Sequence, residues 1–209
     1  MLSGPSYIPE VITSVVVLLH GFGSDGKDLI SLAPYMAEAL PNTAFYAPNG
    51  VSPTPAHMGY QWFSDKDWTF KDREGMDVAQ REIEAYLENI WQTTGVKPEK
   101  TVLVGFSQGT MTALFVTPRL KEKLAGMVGL SGRMYWDEEL AGTSYHHVPM
   151  RLIHGVDDEV VDPNSTPEGA KRLERLGFDV DYFMLPNLGH GIDEAALEKT
   201  TEAIQNYIK

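Results

Sequence analysis

Five residues carry the strongest chemical signal in this chain. Gly105-Phe106-Ser107-Gln108-Gly109 matches G-x-S-x-G, a pattern that sets a serine on a sharp strand-to-helix turn as a nucleophile. A serine hydroxyl attacks poorly near neutral pH and needs a base to take its proton. Where this turn is used, the acid and the base follow the serine in the chain, in the order Ser, acid, His. Of the six histidines, His20 and His57 precede Ser107, while His146 and His147 lie together in a polar stretch. His154 ends an apolar run before Gly155 and suits a structural hydrogen bond. His190, within Leu188-Gly189-His190-Gly191, has the position expected of the base.

The acid has several candidates. Asp157, Asp158, Glu159 and Asp162 all follow the run that ends at His154. The acid must point inward to hold the imidazole tautomer. Spacing does not separate Asp157 from Asp158, and Asp162, next to Pro163, suits a helix start. An acyl-transfer intermediate also needs two N–H donors for its oxyanion. One is the N–H of Gln108, the residue after the serine. The other is expected from His20-Gly21-Phe22-Gly23-Ser24-Asp25-Gly26, a glycine-rich loop after an apolar run, with Phe22 the candidate donor. Lys27 is not followed by Ser or Thr, so the segment is not a Walker phosphate loop.

These residues need elements to position them. Val15–Leu19, Thr43–Ala47, Thr101–Val104, Met127–Leu130, Met150–His154 and Val180–Leu185 read as strands, several without the alternation of a one-sided sheet. Helical spacing appears in Leu29–Leu40, Gly75–Trp91, Thr110–Val116, Pro167–Leu176 and Glu194–Ile208. In Gly75–Trp91 the stripe is Met76, Ala79, Ile83, Tyr86, Leu87 and Ile90, and it reads as core. Strands alternating with helices predict an α/β fold, with a mostly parallel central sheet and helices on both faces. Pro48–Glu74 shows neither period. It carries Tyr60, Trp62, Phe63, Trp68 and Phe70, and reads either as a lid or pocket wall or as a satellite core under a long loop.

Bulk composition narrows the function classes. The chain has 209 residues, expected as a single domain over 1–209, with a net charge of -12. An acidic surface repels phosphate backbones, which argues against nucleic acid as a partner. There are no cysteines, so no disulfide, thiolate metal site or cysteine nucleophile exists. His146-His147 is the one histidine cluster, and neither a metal nor a cofactor is expected. The apolar run Val15–Leu19 is too short for a signal core or an integral membrane segment, and a cytoplasmic location is expected.

His20-Gly21-Phe22-Gly23, the serine motif, His154-Gly155 followed by Asp158, and Gly189-His190 together resemble the phospholipase/carboxylesterase family. The likeness runs over nearly the whole chain and includes Tyr60-Gln61-Trp62-Phe63. It implies the α/β-hydrolase fold with little or no cap domain. It implies a carboxylesterase-type serine hydrolase that cleaves short- to medium-chain acyl esters and, in some members, acyl thioesters or lysophospholipids. It assigns the acid to Asp158, four residues after the histidine of His-Gly, and puts Trp62 and Phe63 near the acyl pocket. Met134, with Tyr135 and Trp136, follows a strand and should reach the same sheet edge, with core filling the competing reading. Two departures stand out: Phe22 replaces the family's usual leucine, and Asp162 stands where proline is common, with Pro163 one residue late. The small-molecule ester or thioester is the expected partner, and a homodimer is compatible with the sequence. A peptidase, a non-catalytic binding module and a metal-dependent hydrolase are the rival readings.

Overall fold

The apolar runs become strands of one sheet. In the computed structural model, which describes residues 1–64, 72–135 and 145–209, seven strands lie side by side. They are β1 (Ser6–Tyr7), β2 (Ser14–Leu19), β3 (Thr43–Tyr46), β6 (Thr101–Phe106), β7 (Gly126–Leu130), β8 (Met150–Gly155) and β9 (Val180–Leu185). Their spatial order is β1-β3-β2-β6-β7-β8-β9. All pairings are parallel except β1 with β3. A second, two-stranded sheet pairs β4 (Ser52–Pro53) with β5 (Tyr60–Gln61).

The helices divide between the two faces, as continuous apolar strands require. Along β2 the side chains alternate: Val15, Val17 and Leu19 enter one core, Val16 and Leu18 the other. The first core is covered by α3 (Arg73–Thr94), α4 (Gln108–Val116) and α5 (Ser165–Arg175). The second is covered by α1 (Gly26–Ile30), α2 (Ala33–Ala37) and α6 (Glu194–Tyr207). The six residues of the α3 stripe are all buried. Asp72 caps that helix by accepting from the Gly75 N–H, and Gly95 ends it in the left-handed region at φ 72°.

Two expectations need correction. Leu29–Leu40 is not one helix but two short ones. Pro34 is the cause: it has no N–H to give to the Ile30 carbonyl, and its ring crowds that carbonyl, so α1 stops at Ile30. The stretch Pro48–Glu74 is not without regular structure, because it holds the β4–β5 hairpin and the start of α3. Trp62 and Phe63 from it join the main core cluster rather than a separate one. Trp68, Phe70 and Trp136 lie outside the described residues. β1 has no signal of its own and exists through its antiparallel pairing with β3.

The chain reverses its winding between β2 and β6. From β2 it moves outward to β3, then returns past β2 to β6 and continues to β9. In sheets of this kind ligands bind beyond the carboxyl ends of the strands at such a switch point. The loop after β2 and the turn after β6 therefore share the expected location.

Candidate active site

Ser107 stands between β6 and α4 with φ 53° and ψ -116°, a backbone state that is costly for a residue with a Cβ. The two glycines explain how this turn fits. A Cβ on Gly105 would lie 2.4 Å from the Gly109 carbonyl oxygen, and one on Gly109 would lie 2.0 Å from the Leu19 carbonyl oxygen. The turn is anchored to the next strand by the Ser107 N–H, which donates to Leu130 O at 2.9 Å. The result is a hydroxyl held above the sheet edge at the first turn of a buried helix.

Asp158 and His190 reach this hydroxyl from neighbouring loops. Ser107 Oγ lies 3.0 Å from His190 Nε2, and His190 Nδ1 lies 2.8 Å from Asp158 Oδ2. The Phe106 ring packs on the His190 ring at a 5.0 Å centroid separation. Asp158 has a fully buried side chain, yet four hydrogen-bonding groups approach its two oxygens. Oδ1 accepts from the Val160 and Val161 N–H groups at 2.8 and 2.9 Å. Oδ2 meets His190 and, at 3.0 Å, His154 Nε2. Burial pushes the carboxyl up, but the Val161 N–H, His190 and the Val160 N–H outweigh it and hold Asp158 below the ordinary aspartate value. It is therefore ionised near neutral pH. An ionised Asp158 accepts a hydrogen bond from His190 Nδ1–H, which leaves Nε2 to accept from the Ser107 hydroxyl.

The loop after β2 lies against the serine turn. A Cβ on Gly21 would be 3.2 Å from the Phe106 ring and 3.4 Å from the Ser107 Cβ. His20 fixes this loop from within: it is fully buried, its Nδ1–H donates to Gly21 O at 2.7 Å, and its Nε2 accepts from the Gly50 N–H at 2.8 Å. Accepting that N–H requires the neutral ring, and burial pushes His20 below its ordinary value. Phe22, the next residue of this loop, is 45% exposed.

Gln108 contributes a contact that its place in the motif did not announce. Its side chain is buried and grips the 62–63 backbone, accepting from the Trp62 N–H at 2.9 Å and donating to Phe63 O at 3.0 Å. The Trp62 indole in turn donates to His20 O at 2.8 Å. Serine turn, β2 loop and β5 loop are thus tied into one unit. Trp62, Phe63 and Met134 are each at most 7% exposed and belong to the main core cluster. The alternatives to Asp158 and His190 lie elsewhere. The Asp162 carboxylate accepts from the Asn164 N–H, and Asp157 and Glu159 are exposed. His146 Nε2 meets Lys121 O, while His147 Nδ1 meets Gly177 O and its ring stacks on Phe178. Among the described residues no three His, Asp or Glu converge as a metal site, and no helix is long and apolar enough to cross a membrane.

This geometry sits within a known family. The model of the family described as Phospholipase/Carboxylesterase matches residues 10–208. The crystal structure of esterase PE8 has the same fold, with a TM-score of 0.90 at 35% identity over 99% of both chains. Esterase YpfH of Escherichia coli is 27% identical over 187 residues, covering 88% of this chain and 78% of that protein. Acyl-protein thioesterase 1 of Aspergillus fumigatus is 34% identical over 120 residues, a stretch that is 54% of this chain and half of that protein's length, at 50%. Matched over nearly its whole length, and sharing its fold with a related esterase, the chain belongs to the phospholipase/carboxylesterase family of α/β-hydrolases and is a carboxylesterase-type serine hydrolase.

Proposed function

We propose that this enzyme hydrolyses short- to medium-chain acyl esters, and acyl thioesters, through Ser107, His190 and Asp158. The observation that carries the reading is the continuous hydrogen-bonded line from Ser107 Oγ through both His190 nitrogens to the buried, ionised Asp158. His190 Nε2 takes the hydroxyl proton as Oγ bonds to the acyl carbon. The carbonyl oxygen becomes an oxyanion held by the N–H groups of Gln108 and Phe22. His190 then gives its proton to the leaving alcohol or thiol, the carbon–heteroatom bond breaks, and an acyl-serine remains. Water, deprotonated by the same nitrogen, attacks that ester, and His190 returns the proton to Ser107 Oγ as the Oγ–acyl bond breaks and frees the acid. No cofactor enters any of these steps. Trp62, Phe63 and Met134 are proposed to back the acyl side of the pocket. The burial of all three supports that reading, and the Gln108 clamp holds the Trp62–Phe63 backbone.

A fluorophosphonate probe tests the nucleophile. The wild type is expected to label and Ser107→Ala is expected not to. An unlabelled wild type, or a labelled alanine variant, rules the reading out. A rate series over aryl esters of rising acyl length, ending with a palmitoyl thioester, tests the substrate class. Falling rates beyond medium chains fit the general esterase. A rate for the long thioester above the short esters replaces it with deacylation of lipidated proteins, the activity named for the fungal relative.

A further inference from the structure

Asp158 holds two imidazoles on one oxygen. His190 Nδ1 approaches Oδ2 at 2.8 Å from the loop after β9, and His154 Nε2 approaches the same Oδ2 at 3.0 Å from the end of β8. His154 is fully buried. Its Nε2 is also 3.2 Å from Val161 O, and its Nδ1 is 2.7 Å from Thr166 Oγ1 on α5. The hydrolytic steps above leave His154 without a role.

We infer that His154 is a positioning residue for the hydrolysis, a neutral ring locked as the Nε2–H tautomer that donates to Asp158 Oδ2 and holds the carboxylate in line with His190. The inference rests on the Ser107–His190–Asp158 reading. The tautomer follows from what faces each nitrogen. Nε2 meets two acceptors, a carboxylate and a carbonyl, and must carry the proton. Nδ1 must then accept, and the Thr166 hydroxyl is its donor. Burial pushes His154 below the ordinary histidine value against the opposing pull of Asp158, which keeps the ring neutral while it donates. Among the described residues, the titratable side chains facing Asp158 are His154 from β8 and His190 from the loop after β9, and α5 contributes only the uncharged Thr166 hydroxyl to this cluster.

The arrangement makes a specific division of labour. Val160 and Val161 N–H groups occupy Oδ1, so among the described residues His154 is the one donor besides His190 on Oδ2. Without it Oδ2 keeps only His190 and the carboxylate is held less firmly, by that contact and the two valine N–H groups, and its charge concentrates on the His190 side. Turnover then falls because the imidazole is less well oriented. The acid limb of kcat/KM moves to higher pH because the imidazolium is held more tightly. A purely packing role for His154 would lower stability and leave that limb in place.

The test combines histidine NMR with kinetics on a short aryl ester. In the wild type, 15N shifts are expected to show His154 as the neutral Nε2–H tautomer across about pH 6 to 8, the range in which an ordinary histidine titrates. His154→Phe is expected to lower kcat about 10- to 100-fold, as loss of one charge-assisted hydrogen bond implies, with KM unchanged and the acid limb raised. His154→Gln, whose amide nitrogen can reach the Nε2 position, is expected to restore the limb and most of the turnover. Thr166→Val, which removes the donor to Nδ1, should fall between. An Nδ1–H tautomer in the wild type overturns the inference. So does a wild-type acid limb in His154→Phe, or a glutamine variant as impaired as the phenylalanine one. If the phenylalanine variant does not fold, the tautomer and the Thr166→Val profile decide. Asp158→Asn separates this inference from its foundation: undiminished turnover there removes the triad reading itself, whereas a large loss there with an unaltered His154→Phe profile removes only the role of His154.

Discussion

At the scale of single residues, the proposed mechanism has Ser107 and His190 act on the same proton, so their losses should not add. Ser107→Ala is expected to reduce ester turnover by at least about 10^4-fold, and the double variant with His190→Ala by little more. Steady-state kinetics on an aryl ester checks both, and a double variant far worse than either single one would contradict the shared step. Asp158→Asn should cost about 10^4-fold, because an amide at Oδ2 can present an N–H to His190 and reverse its tautomer. Much of this site was legible beforehand. The G-x-S-x-G turn and the late Gly-flanked His190 are local patterns, and chain order linked them. Asp157 against Asp158 was not legible from spacing, since adjacent residues differ only in the direction their side chains take. The valine N–H groups at 160 and 161 and the two histidines turn on Asp158, and those partners converge only in the folded loop. The positions of His154 and Thr166 could have been read as a pair aimed at the acid only by knowing that α5 packs back on β8.

At the scale of elements, the serine turn is held by what surrounds it. Gly109→Ala would drive a Cβ into the Leu19 and His20 carbonyls, at 2.0 and 2.8 Å. We expect a loss of about 3 kcal/mol or more, seen as a fall in Tm on the order of 10 °C. A wild-type Tm would show that β2 can give way. Gln108→Ala leaves the proposed oxyanion N–H in place but removes the acceptor of the Trp62 N–H and one donor to the Phe63 carbonyl. Leaving the buried Trp62 N–H without its acceptor costs about 1–3 kcal/mol. Differential scanning calorimetry should show the lower Tm, and fluorophosphonate labelling should slow because the loops beside Ser107 are no longer tied. Labelling at the wild-type rate would confine the clamp to stability. Strand and helix positions were legible because their periods are local. Pro34 sits inside an apolar stripe whose spacing runs on through it, which hides the break, and β1 with the β4–β5 hairpin was invisible because two-residue strands have no period.

At the scale of the whole molecule, the buried histidines set a pH dependence of stability. His20 and His154 are both pushed below 6.5 by burial. The unfolded chain therefore binds protons that the folded chain refuses, and stability rises with pH through this range. Tm is expected to be level above about pH 7 and to fall as the pH drops below the 6.5 of an unfolded histidine. Asp158, also depressed, acts in the same direction at lower pH, with its share lost as the pH falls through and below 3.8. His20→Gln, whose amide oxygen can accept the Gly50 N–H without titrating, should flatten part of the slope between pH 7 and about 5.5. An unchanged slope would mean that the Gly50 contact yields to protonation.

The sequence alone determined the G-x-S-x-G turn, the chain order of the candidate partners, the α/β alternation and the absence of cysteine. Each of these is written in residue types a few positions apart. Tertiary structure alone decided which carboxylate meets His190, that Gln108 grips the 62–63 backbone, and that a second imidazole shares the acid. Those are contacts between segments 30 or more residues apart, or between side chains whose directions only packing selects: His190 is 32 residues from Asp158 and 83 from Ser107. Parallel strands bring their carboxyl ends to one edge, and that edge is where distant loops become neighbours.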